Sequence, residues 1–219
     1  MPWPMVHFAI GTKIYLNDPS PNLLLGSIAP DAIHMRDNVT RKDKGYTHLF
    51  NEDTLPSLET IKTNCLKYFN ENSEVEWKDY ILGYFAHLYA DLRWTETIYA
   101  EFERNYQGNK QDIRNIYNEE VSQVEFNLLK SEEWAQSVIT KLQRAKAFSI
   151  EPFITDEEVS QYRNVKIEWL QDNENEPKIK PIYFTEESVK SFIIKTSNEL
   201  NKLFEEWGVE FLKEGRNIS

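Results

Sequence analysis

Apolar residues recur every three or four positions along most of the chain, the spacing that places side chains on one face of an α-helix. Glycine and proline are scarce, at 7 and 9 residues, which favours long elements over a fold with many turns. We therefore predict an all-α fold. The predicted helices span approximately residues 5–16, 22–28, 54–70, 76–104, 110–130, 132–148, 156–172 and 185–214.

The signals at helix starts refine this prediction. Ser20 and Pro21 fit the cap and first residue of the second helix, and Thr185 fits the start of the last one. Between the second and third helices, residues 31–52 are polar and irregular, with a charge cluster over residues 41–44. We expect a long loop there, and loops of that length inside a domain are often functional.

The strongest predicted helix, over residues 76–104, carries two polar side chains at its apolar face. At about 100° per residue, Asp91 falls inside the buried arc and His87 lies at its edge, one turn earlier. A buried carboxylate needs a partner, and His and Asp four residues apart point the same way, as two ligands of one cation would. An ion pair between the two, or between Asp91 and an arginine such as Arg93, would explain the pattern equally well.

Three residues of the same chemical types precede this helix, namely His7, Asp31 and His48. Each alone has a structural explanation, such as a core histidine for His7 or a turn residue for Asp31. Together with His87 and Asp91 they predict a metal site. Imidazole and carboxylate donors without sulfur suit a divalent metal, for which we expect zinc, with manganese or iron as alternatives.

Other polar residues lie close to these candidates in the sequence. His34 is three positions after Asp31 and could support a ligand, contact the substrate or lie on the surface. Arg36 and Lys44 lie between Asp31 and His48, where they could neutralise a phosphate. A solvated, charged loop is the alternative interpretation of the same residues.

The formal charge of −11 makes tight nucleic-acid binding an unexpected function. This net charge is compatible with a small phosphorylated substrate, since a divalent cation can dominate the local potential. Cys65 is the only cysteine, so neither a disulfide framework nor a thiolate zinc site is expected. No secretion signal and no apolar run of about 20 residues is visible, so we expect a cytoplasmic protein without a transmembrane segment.

The ordered motifs Gly-Ser-Ile-Ala-Pro-Asp ending at Asp31, Thr47-His48, and His-Leu-Tyr-Ala-Asp from His87 to Asp91 resemble the zinc-dependent phospholipase C family. That family includes bacterial phospholipases C and the N-terminal domain of clostridial alpha-toxin, and it also keeps an early histidine, matched here by His7. The resemblance covers residues 7–91 and implies a multi-helix bundle with a metal site between helices. We expect one helical domain over residues 1–219, with the ligands within about 1–105 and further helices over 106–219.

The resemblance also implies roles. Asp31, His48, His87 and Asp91 would hold a central metal, and His7 with Asp91 would serve a second one. Asp31 is in addition a candidate general base. No histidine follows Asp91, so the family's remaining ligands lack counterparts, and Trp3 stands behind two residues where secreted members use a free N-terminal tryptophan. We therefore expect one or two ions rather than three.

The expected function is hydrolysis of a phosphoester by metal-bound hydroxide, which needs no nucleophilic side chain. One alternative is a non-catalytic helical scaffold with a residual or structural metal site. Another is an HD-type phosphohydrolase, whose signature requires a histidine followed directly by aspartate. No histidine in this chain is followed by aspartate.

Overall fold

The computed structural model describes residues 2–52 and 54–209. Within these ranges the chain forms ten α-helices and no β-strand, which confirms the all-α prediction. The helices are α1 (Pro4–Ile14), α2 (Pro21–Gly26), α3 (Arg41–Thr47), α4 (Leu58–Phe69), α5 (Val75–Trp94), α6 (Ala100–Asn105), α7 (Ile113–Ser131), α8 (Ala135–Arg144), α9 (Asp156–Gln171) and α10 (Glu186–Glu206). Two 3-10 helices, Ala29–Met35 and Asn173–Asn175, and a π-helical turn, Thr95–Tyr99, complete the secondary structure.

Helix α5 lies at the centre of the molecule and is buried over most of its length. It packs against α1, α2, α4 and α10, while α1 packs against α10, so elements distant in sequence meet around it. Among the described residues no helix is sufficiently long and apolar to traverse a bilayer. Cys65 on α4 is fully buried, and burial raises the pKa of its thiol, as expected for a core cysteine.

Two glycines allow α2 and α5 to approach closely. A Cβ atom at Gly83 would lie 2.2 Å from the Leu23 carbonyl oxygen, and one at Gly26 would lie 2.0 Å from the Tyr80 carbonyl oxygen. Any other residue at either position would force the two backbones apart. The crossing therefore fixes the end of α2 against α5 one turn before His87.

The predicted helix starts are confirmed at two places. The Ser20 side chain accepts a hydrogen bond from the Leu23 N–H, with Pro21 as the first helical residue. The Thr185 side chain accepts one from the Ser188 N–H at the start of α10. These caps satisfy backbone donors that the first turn of a helix leaves free.

The prediction of an irregular loop over residues 31–52 was wrong in part. The 3-10 helix covers its beginning, and α3 forms within the charged stretch. A capping box explains α3, since the Thr40 side chain accepts from the Asp43 N–H and the Asp43 carboxylate accepts from the Thr40 N–H.

Other boundaries also differ from the predicted ones. The third predicted helix begins at Leu58 rather than near residue 54, and the sixth ends at Arg144 rather than near residue 148. The helix predicted over 76–104 contains the π-helical turn. Residues 210–214 of the last predicted helix lie outside the described residues.

Candidate metal centre

The structure brings all five predicted ligands together. His7 lies on α1, Asp31 on the first 3-10 helix, His48 at the C-terminal cap of α3, and His87 and Asp91 one turn apart on α5. The side chains of the three histidines and Asp91 are at most 2% exposed, whereas that of Asp31 is 16% exposed. Asp31 is thus the member of the cluster nearest to solvent.

Short distances connect the ligand atoms of Asp31, His48, His87 and Asp91. The His48 Nε2 atom lies 3.3 Å from His87 Nε2, 3.5 Å from Asp31 Oδ1 and 3.5 Å from Asp91 Oδ2. His87 Nε2 lies 3.4 Å from the same Asp91 oxygen. Ligand atoms bound about 2.0–2.2 Å from a tetrahedral zinc ion lie about 3.3–3.6 Å apart, so the observed separations fit such an ion.

Hydrogen bonds fix the direction in which two of the imidazoles offer their lone pairs. His87 Nδ1 lies 2.8 Å from the Ser27 carbonyl oxygen, and His48 Nδ1 lies 2.9 Å from the Lys44 carbonyl oxygen. Because a carbonyl only accepts, a proton on each Nδ1 satisfies both contacts and leaves both Nε2 atoms as acceptors in the neutral rings. Two acceptors facing each other need a proton or a cation between them, and backbone anchors of this kind are typical of metal-binding histidines.

His7 and Asp91 form a second pair of candidate ligands. His7 Nε2 lies 3.6 Å from Asp91 Oδ1, the carboxylate oxygen that does not face His48. The His7 ring stacks on that of His87, with centroids 4.0 Å apart. Among the described residues, neither ring nitrogen of His7 and neither oxygen of Asp91 has a hydrogen-bond partner, which is rare for atoms so deeply buried. A cation held by His7, His87 and Asp91 would satisfy these atoms.

The carboxylates are charged in the folded chain. Burial acts to raise the pKa of Asp91, but His87, His7 and His48 outweigh it and hold the value at about 2. Burial also acts to raise the pKa of Asp31, yet Lys44 and His48 hold it well below its ordinary value. Both groups are therefore in the form that binds a metal.

The pKa values of the three histidines are shifted in different directions. Burial, assisted by His87, lowers the pKa of His7 to about 3, and burial also lowers the pKa of His48. Burial acts in the same direction on His87, but the Asp91 carboxylate raises its pKa above the ordinary value. His87 thus attracts a proton that a metal ion would displace, while the other two rings are neutral and ready to bind one.

Of the three other residues predicted near the site, two border the cluster and one does not. The Lys44 ammonium donates to Asp31 Oδ1 over 2.7 Å, and His34 Nε2 lies 3.9 Å from the same oxygen, so both border the cluster. The Arg36 guanidinium instead pairs with the Glu158 carboxylate on α9 and donates to the Phe153 carbonyl oxygen over 3.0 Å. Arg36 therefore holds the 3-10 helix against α9 rather than facing the cluster.

A cavity of about 540 Å³ adjoins the cluster at Asp31, Lys44 and His34. Its other walls include Trp3, Tyr162, Arg114 and Lys166, which come from α7, α9 and the residue before α1. These four residues were not predicted as part of the site. Only the packing of α7 and α9 against the first half of the chain brings them there, and no local sequence pattern reveals that packing.

The donor set consists of imidazole nitrogens and carboxylate oxygens, which suit zinc, manganese or iron. Two overlapping groups can hold an ion: His7, His87 and Asp91 form one, and Asp31, His48 and His87 form the other. No known family model, curated protein or solved structure matches this chain. The spacing, the burial and the unsatisfied polar atoms of the cluster itself therefore indicate that it could hold a metal ion.

Proposed function

We propose that this protein is a metal-dependent hydrolase of phosphoesters. The observation that carries the proposal is that Asp31, His48 and His87 offer ligand atoms close enough to hold one cation, and that Asp31 also lines a cavity large enough for a small molecule. A cation held there would polarise a phosphoryl oxygen and lower the pKa of a water molecule.

The residues of the chain would contribute position and proton transfer. The Ser27 and Lys44 carbonyls orient His87 and His48, and Lys44 holds Asp31 Oδ1 while placing a positive charge at the cavity wall. In the reaction, the oxygen of a water molecule bonds to phosphorus as the bond from phosphorus to the ester oxygen breaks. Asp31 accepts one proton of that water and passes it to the leaving oxygen.

The resemblance to the zinc-dependent phospholipase C family supports the same proposal. In that family the counterparts of Asp31, His48, His87 and Asp91 hold one metal, and here these four residues supply the four closely spaced atoms. The lack of any histidine after Asp91 limits the proposal to one or two ions.

The test is to measure metal content by mass spectrometry and hydrolysis of p-nitrophenyl phosphate and bis(p-nitrophenyl) phosphate, with and without chelator. We expect bound metal and activity that is lost with chelator and restored by zinc, manganese or iron. Asp91→Asn should lose both the metal and the activity. Asp79→Asn is the matched control, because Asp79 is another buried aspartate of α5 that lies outside the cluster.

A structural metal site is the second candidate, and one observation favours it. Four residues, Asp31, His48, His87 and Asp91, each have a ligand atom within 3.3–3.5 Å of another, which is enough side chains to close a site, whereas catalytic zinc sites usually keep one position for water. A protein with stoichiometric metal that stays inert on both esters would establish this alternative. A protein that retains no metal even after zinc is added would overturn both proposals.

A further inference from the structure

The residues that line the cavity beside the cluster carry an excess of positive charge. Three cationic residues line it, Lys44 from α3, Arg114 from α7 and Lys166 from α9, and Asp31 is the only carboxylate among its lining residues. Since Lys44 and Asp31 neutralise each other through their 2.7 Å ion pair, Arg114 and Lys166 remain as the uncompensated charges. In a chain with a formal charge of −11, this local excess is unusual.

Arg114 and Lys166 have donors available for a ligand. Within residues 2–52 and 54–209, neither forms an ion pair with a carboxylate. The Lys166 ammonium lies 5.1 Å from the centre of the Tyr162 ring and 5.9 Å from that of the Trp3 ring, so aromatic faces hold it at the cavity wall. A guanidinium and an ammonium placed together bind a carboxylate or phosphate by charge-assisted hydrogen bonds.

Other walls of the cavity suit a carbon skeleton. Trp3, Tyr99 and Tyr162 present aromatic surface there. Tyr99 is the last residue of the π-helical turn that follows the ligand-bearing part of α5, and such turns are frequent at functional sites. The cavity volume of about 540 Å³ lies in the usual range for small-molecule sites, roughly 300–1,000 Å³.

We propose that the cavity selects small phosphoesters that carry a second anionic group, which Arg114 and Lys166 bind while the scissile phosphate lies at the cluster beside Lys44. The inference rests on the proposed function for the hydrolytic step, but the binding of a doubly anionic molecule does not depend on catalysis. The substrate class is therefore a small molecule with a phosphoester at one end and a carboxylate or phosphate at the other.

Matched phosphonates test the binding separately from hydrolysis, because their phosphorus–carbon bond resists hydrolysis. Three pairs differ within each pair only by a carboxylate: methylphosphonate and phosphonoacetate, propylphosphonate and 4-phosphonobutyrate, phenylphosphonate and 4-carboxyphenylphosphonate. Isothermal titration of the purified protein gives Kd for each. We expect the carboxylate to tighten binding by about tenfold or more in at least one pair, the usual effect of a charge-assisted hydrogen bond.

The double variant R114Q/K166Q should abolish that preference and leave the binding of the simple phosphonates nearly unchanged. R144Q/K202Q is the matched control, since it removes the same charge from exposed residues that do not line this cavity and should retain the preference. Circular dichroism verifies that both variants are folded. Equal binding within every pair, or equal effects of the two double variants, would overturn the inference.

Hydrolysis of phenyl phosphate and 4-carboxyphenyl phosphate then separates the two proposals. Carboxylate-dependent phosphonate binding without any hydrolysis would leave the inference standing and refute the hydrolase. Hydrolysis of both esters with the same kcat/KM, and no preference among the phosphonates, would support the hydrolase and refute the inference. A 1,4-phenylene bisphosphate added to the panel shows whether a phosphate serves as well as a carboxylate at the second position.

Discussion

Glu125 on α7 is a buried carboxyl group outside the metal cluster. One of its oxygens accepts a hydrogen bond from the Met5 N–H over 2.9 Å, at the start of α1, and the other has no partner among the described residues. Burial raises the pKa of Glu125 to about 8, although the Met5 N–H and Lys166 act in the opposite direction. The group is therefore largely protonated in the folded chain at neutral pH.

This shift predicts a pH dependence of stability. The pKa of Glu125 is about 8 in the folded chain against an ordinary value of 4.5, so between these values the folded chain binds more protons than the unfolded one. The free energy of unfolding should fall as pH rises through that window, by up to several kcal/mol at about 1.4 kcal/mol per unit. In Glu125→Gln this loss should disappear, because glutamine has no proton to release.

Urea unfolding of both proteins between pH 5 and pH 8 provides the measurement. The difference between wild type and Glu125→Gln isolates this residue, because all other titrating groups are common to the two. Parallel pH profiles would show that Glu125 is ionised in the folded chain and that the assigned shift is wrong.

The chemistry of individual residues could be predicted from the sequence where a polar side chain interrupts an apolar arc. That signal identified Asp91, and the same signal was available for Glu125, which lies four positions after Val121 and three before Leu128. Arg114 and Lys166 could not be found in this way. An exposed arginine and a half-buried lysine on amphipathic helices look like ordinary surface residues until the neighbouring helices are known.

At the scale of elements, the crossing of α2 and α5 sets the geometry of the cluster. The Ser27 carbonyl, just past the end of α2, accepts the hydrogen bond from His87 Nδ1, and Gly83 lies one turn before His87 at the crossing. Close contact of two backbones thus positions a candidate ligand. A change that separates the helices should disturb stability and metal binding together.

Gly83→Ala tests this coupling. The added Cβ would meet the Leu23 carbonyl oxygen at 2.2 Å, so α2 must shift, and we expect a loss of about 1–3 kcal/mol in the free energy of unfolding and weaker zinc binding. Gly11→Ala is the control, because the nearest atoms to its Cβ would be flexible side-chain ends, those of Leu23 at 3.4 Å and Leu24 at 3.8 Å. Denaturant unfolding and zinc titration measure both effects, and equal behaviour of the two variants would contradict the role assigned to the crossing.

Helices with apolar periodicity over a long stretch of sequence were predicted correctly. Short elements that depend on other interactions were not. Helix α3 has seven residues and little apolar pattern, and its stability comes from the capping box of Thr40 and Asp43 and from the contact of Lys44 with Asp31. Neither the capping box nor the contact of Lys44 was predicted from the sequence. The π-helical turn could not be predicted either, because the apolar spacing there is still that of an α-helix.

At the scale of the whole molecule, the five candidate ligands come from four elements separated by as many as 84 positions, from His7 to Asp91. Periodicity predicts that the helices exist, but the way in which they pack is a property of the assembled core. The resemblance to a known family supplied the expectation that these residues converge. Because the two candidate ions would together join α1, the 3-10 helix, α3 and α5, metal binding should stabilise the whole fold rather than a single loop.

Thermal unfolding with and without metal tests this global effect. A ligand that binds only the folded chain at about a hundredfold above its Kd adds about 2.7 kcal/mol, which for a chain of this size corresponds to a rise in Tm of roughly 5–10 °C. We expect zinc added to chelator-treated protein to produce such a rise in wild type and in the Asp79→Asn control. Asp91→Asn should show almost none, because it removes the carboxylate whose two oxygens face His7 on one side and His48 and His87 on the other. An equal response of Asp91→Asn and wild type would mean that zinc binds elsewhere, and the buried cluster would then be an ion-pair network in which protons, not metal, balance the two carboxylates.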